Sequence, residues 1–104
     1  MNTTRESLIE IRKLRAERKF IAAGLYPGAP DEDTRLRCES IVNLLVDDVL
    51  VLLERGATRD EILSRAKQTL DSFSEEDTEE YERSGDYVGD LMRAIGIDDW
   101  TDFI

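Results

Sequence analysis

The sequence predicts an all-α protein: a small four-helix bundle-like single domain over residues 1–104, with a C-terminal tail docked against it. Two observations carry this. Apolar residues recur at near-helical spacing in four segments, and those segments are punctuated by capping boxes ("TTRE", "TRDE") and by glycines at Gly24, Gly56 and Gly96. A third is size, because 104 residues can bury a modest core without disulfides or metal.

The first helix is expected to open at Thr3, with Glu6 reaching back to the cap, and to run through Leu8, Ile11, Leu14, Phe20 and Ile21 to a stop at Gly24. It is a basic helix, with six arginines and lysines against three glutamates. "LYPGAPDED" (25–33) contains two prolines and a glycine and reads as a loop. The second helix runs from Asp33 or Thr34 to Arg55. Its middle, "IVNLLVDDVLVLL", is apolar nearly all round and marks the central helix, with Cys38 as a small core residue. "VLVLLE" could form a buried strand, but no turn signal separates it from the preceding run, so helix is expected. The third helix spans about 59–73 behind its capping box. The fourth starts near Ser74, capped by Ser74 or Asp77, and ends at Ile95. In the tail "IDDWTDFI", Ile97, Trp100, Phe103 and Ile104 are expected to dock back on the bundle.

Several classes of chemistry are excluded by composition. The chain has no histidine, which removes the usual general base and the commonest metal ligand. It lacks G-x-G-x-x-G, G-x-x-x-x-G-K-[ST] and G-x-S-x-G. One cysteine cannot form an internal disulfide and fits a reducing compartment. No apolar stretch has the length of a membrane span or the form of a signal peptide, so a cytoplasmic protein is expected, with no membrane partner.

Charge is the informative feature. Residues 1–70 hold 12 basic and 12 acidic side chains, whereas residues 71–104 hold 2 basic and 12 acidic. Within that half "SEEDTEEYE" (74–82) packs six carboxylates into nine positions. Glu75, Glu76, Asp77, Glu79 and Glu80 fall in the first turns of the fourth helix, where the macrodipole favours negative charge. Glu82, Asp86 and Asp90 lie beyond its reach. Glu75, Glu79, Glu82, Asp86 and Asp90 step by 4, 3, 4 and 4 and so share one side of a helix. Val88, Leu91, Met92 and Ile95, with Tyr81 one register earlier, form the opposite side. Such a row repels itself by a few tenths of a kcal/mol per pair. It is either a solvated face or a ridge for a basic protein, and it disfavours nucleic acid as a direct ligand.

The expected partner-binding residues are Glu75, Glu76, Glu79, Glu80, Glu82, Asp86 and Asp90, with Tyr87 as an aromatic anchor. Trp100 more simply seals the core. Gly85 and Gly89 would allow another helix to approach closely, or would loosen this one. No D-x-D-x-D-G loop is present and one exposed helix encloses a cation poorly, so neither metal nor cofactor is expected.

Phe73, the Asp77-Thr78-Glu79-Glu80 turn, Tyr87 and Gly96-Ile97 resemble the C-terminal half of an uncharacterised family of small acidic bacterial proteins. More loosely, size, helical pattern and acidity resemble immunity proteins of toxin systems, including contact-dependent growth inhibition. That resemblance implies a protein that binds and blocks a toxin domain, often a basic nuclease. An acidic nucleic-acid mimic or a regulatory protein-binding module is the alternative. An enzyme reading rests on Glu79-x-x-Glu82 with Asp99-x-x-Asp102, a partial echo of the magnesium-binding pairs of all-α nucleotide pyrophosphohydrolases.

Overall fold

The computed structural model describes residues 1, 3–74 and 78–103. Among them the protein is all-helical, with α1 (Arg5–Ala16), α2 (Glu32–Glu54), α3 (Arg59–Ser72), α4 (Thr78–Ala94) and a short α5 (Trp100–Phe103). Its radius of gyration, 13.3 Å, matches the ~13 Å expected of a packed chain of about 100 residues.

Local chemistry explains the helix starts. Thr58 Oγ1 accepts from the Glu61 N–H at 3.2 Å, and its hydroxyl donates to the Glu61 carboxylate. Asp31 Oδ1 accepts from the Thr34 N–H at 2.7 Å, so α2 begins one or two residues earlier than expected. At α1 the cap is Thr4 rather than Thr3, and it pairs with Ser7 instead of Glu6. "VLVLLE" is helical, and Gly56 and Gly96 follow α2 and α4 where the sequence places the stops.

One large departure concerns the end of α1, which stops at Ala16 instead of continuing to Gly24. Main-chain groups past that point are captured by side chains from elsewhere. Glu39 of α2 accepts from the Lys19 N–H at 2.7 Å and from Arg35 Nη1 at 2.8 Å. The fully buried Lys19 turns its ammonium back onto the carbonyls of Arg15 and Glu17, near the C-terminus of α1. Tyr87 Oη of α4 accepts from the Phe20 N–H at 2.8 Å. Phe20 sits at φ +61°, a left-handed conformation that costs a non-glycine residue about 1–3 kcal/mol. Full burial of its ring offsets that cost. The ring stacks on Phe73 at 5.7 Å and meets Tyr87 edge-on at 5.1 Å, each such pair contributing about 0.5–1.5 kcal/mol beyond area.

α2 lies at the centre of the core, with Val42, Leu45, Val46 and Val49 essentially inaccessible to solvent. Cys38 joins them, as expected of a small core residue. Asp47 and Asp48, which interrupt the apolar run, face opposite neighbours. Asp47 takes Arg15 of α1 through two contacts of 2.8 and 3.3 Å, and Asp48 takes Arg65 of α3 at 2.8 Å. The tail docks through Ile97, which is buried, and Trp100, whereas Phe103, also expected to dock, is exposed and Ile104 lies outside the described residues. A Cβ on Gly89 would lie 3.3 Å from the Trp100 ring, so that glycine makes room for the tail.

Candidate partner-binding face on α4

α4 is amphipathic with a sharp boundary. Ser84, Tyr87, Val88, Leu91 and Met92 point inward, while Glu79, Glu82, Asp86 and Asp90 stand exposed, as the spacing predicts. Glu75, Glu76 and the Asp77 cap lie outside the described residues.

The row is not one continuous surface. Glu79, Glu82 and Asp86 line a groove of about 240 Å³ whose other wall is Leu25, Tyr26 and Pro27, with Arg83 between them. Asp90 instead borders a second groove, formed with Glu10, Lys13 and Glu17 of α1 and Arg93. Charge compensation differs as well. Asp86 lies 3.4 Å from Arg83 Nη1 and Asp90 pairs with Arg93. Glu79 and Glu82 have no ion pair among the described residues.

Two expected binding residues are not on this surface. Glu80 is 2% exposed and Tyr87 is 6% exposed. Both belong to the inward register 80, 84, 87, 91, so the first-turn position of Glu80 places it toward the core rather than toward a partner. Tyr87 is a core residue whose hydroxyl holds Phe20. Tyr81 is the reverse: expected on the inner side, it is 44% exposed.

The buried Glu80 affects its surroundings. Tyr26, on the loop between α1 and α2, has its phenol pushed up to about 12, first by burial and next by the Glu80 carboxylate. Arg83 supplies the opposite charge, its guanidinium carbon 5.5 Å from the Tyr26 ring centre and 5.0 Å from that of Tyr87. This cation–π stack fixes both Arg83 and the turn carrying Leu25. In the sequence "LYPG" reads only as a loop, and the stack is not visible there. A tyrosine in the loop and an arginine within an acidic run were the available signals.

The magnesium echo does not assemble. Asp99 is salt-bridged to Arg59 of α3, whereas Glu79 and Glu82 face the 25–27 turn. Among the described residues no group of three or more Asp, Glu, Cys or His is arranged to hold a metal ion. None of the described helices is long and apolar enough to cross a membrane.

Fold and surface together define an all-helical protein with a basic α1, a buried polar cluster and an acidic groove beside a pinned turn. The family model described as "Domain of unknown function (DUF4844)" matches residues 2–102, and the chain belongs to that family. No curated protein and no solved structure matches it.

Proposed function

We propose that the protein is a stoichiometric inhibitor of the immunity type, which binds and blocks a basic toxin domain, such as a nuclease, in the bacterial cytoplasm. The observation that carries this reading is the pair Glu79 and Glu82: both exposed, three residues apart, and in no ion pair among the described residues. Like charges so placed repel by about 0.2–0.5 kcal/mol in the free protein, and a cationic partner would relieve that repulsion. Inhibition would work by occlusion, with carboxylates taking positions that substrate phosphates would otherwise occupy. The row from Glu79 to Asp90 rises only about 17 Å at 1.5 Å per residue, which suits a protein contact better than imitation of a long nucleic-acid backbone.

The test is capture from a lysate of the native organism by the wild-type protein and by Glu79→Lys/Glu82→Lys, followed by expression of the captured protein. The expected result is a basic protein, retained by wild type and lost by the variant, that arrests growth when expressed and is neutralised only by wild type. Equal retention by the variant, or no growth arrest, would overturn the proposal.

A further inference from the structure

The turn opposite the α4 carboxylates is built to hold its shape. Ala23 and Tyr26 exchange two main-chain hydrogen bonds of 3.0 and 2.9 Å, and Gly24 takes the left-handed conformation between them. The Ala29 N–H donates to the Phe20 carbonyl at 3.0 Å, closing the loop at its base, and Arg83 stacks on the Tyr26 ring. At the tip stands Leu25, 105% exposed, more open than any other large apolar side chain among the described residues. Pro27 and Ile21, also exposed, extend the apolar surface.

A single exposed leucine carries no message in itself. Leu25 differs because its turn has little freedom left to lose on binding, and because Leu25 and Pro27 form one wall of the groove whose other wall is Glu79, Glu82 and Asp86. At about 240 Å³ the groove is smaller than the roughly 300–1,000 Å³ of small-molecule sites. It fits one long side chain. Three carboxylates around one arginine leave it negative, so the complementary side chain is a cation.

We propose that this groove and turn dock a basic amphipathic segment of a protein partner. A lysine or arginine of the segment seats among Glu79, Glu82 and Asp86, while an adjacent apolar side chain covers Leu25 and Pro27. The inference rests on α4 being the binding face and adds the partner's chemistry: charge brings the segment in, and Leu25 retains it. Because Leu25 is wholly exposed, its replacement leaves the core untouched.

The experiment titrates the ¹⁵N-labelled protein with three synthetic peptides: one of alternating lysine and leucine, one oligolysine of equal charge, and one of alternating glutamate and leucine. The lysine–leucine peptide should shift the amides of residues 23–28, 79, 82 and 86 saturably. Oligolysine should bind the same face more weakly, and the acidic peptide should not bind. Leu25→Ser should weaken the lysine–leucine peptide about ten- to a hundredfold, the effect of losing a buried leucine contact. Leu44→Ser, at a leucine 56% exposed on α2, should change nothing. Undiminished binding by Leu25→Ser, or shifts confined to another face, would overturn the proposal. If Leu25→Ser weakens binding while Glu79→Lys/Glu82→Lys does not, the acidic face itself is refuted.

Discussion

Tyr87→Phe removes one oxygen atom and tests why α1 stops where it does. The tyrosine is 6% exposed, and its hydroxyl is the acceptor for the Phe20 N–H at 2.8 Å. Phenylalanine keeps the ring that meets Phe20 edge-on at 5.1 Å, so packing is largely preserved. What remains is a buried main-chain donor without an acceptor, at a residue already held at φ +61°. Leaving such a donor unsatisfied costs about 1–3 kcal/mol. Against a typical total of 5–15 kcal/mol for a domain, that is a large share. At about 4–8 °C per kcal/mol the midpoint of thermal unfolding should fall by roughly 5–20 °C. Circular dichroism melts give the shift, and hydrogen exchange should show the Phe20 amide losing protection. Tyr81→Phe, at a tyrosine 44% exposed, is the control and should stay within about 0.5 kcal/mol of wild type. A Tyr87→Phe protein that melts with wild type would refute the idea that this hydrogen bond holds the left-handed turn.

Glu39 should give the protein an acid-sensitive component of stability. Burial opposes its charge, but the Lys19 N–H and the Arg35 guanidinium outweigh burial and hold its folded pKa below the usual carboxylate range. Its contribution is therefore complete above the unfolded pKa and is lost as pH falls through the depressed folded value. Urea unfolding across that range should find Glu39→Gln about 1.5–3 kcal/mol less stable near neutrality and little different from wild type in acid. The two helical glycines of α4 should respond in opposite directions. Gly85→Ala enters open space and should stabilise by about 0.5–1 kcal/mol, whereas Gly89→Ala meets the Trp100 ring and should destabilise, with altered tryptophan fluorescence.

Much of this fold is legible from local signals. Thr58 with Glu61, and the glycines after α2 and α4, act through neighbours a few residues away, and the sequence displays such neighbours directly. The end of α1 is different. Lys19, Phe20, Glu39 and Tyr87 meet across 20 to 67 residues of chain, and nothing around Phe20 announces a left-handed turn. The acidic row shows the same division. The 3.6-residue period correctly places Glu79, Glu82, Asp86 and Asp90 outside. The same period assigns Glu80 to the inward register of Ser84, Tyr87 and Leu91, and its charge obscured that. A carboxylate in the core goes against the usual cost of desolvation, so the charge of Glu80 masks its register.

Association kinetics decide whether Glu79 and Glu82 receive a basic partner. Association rates of the captured partner with wild type and with Glu79→Lys/Glu82→Lys should be compared at low and high salt. A parallel reversal at the exposed Glu10 and Glu17 of α1 serves as control. Wild type should associate fast at low salt and slow steeply as salt rises, because screening shortens the reach of exposed charges. The 79/82 reversal should be slow and nearly indifferent to salt while folding as stably as wild type, and the α1 reversal should follow wild type. If the 79/82 reversal instead shows wild-type rates and salt dependence, the acidic face of α4 is a solvated helix surface and the partner binds elsewhere.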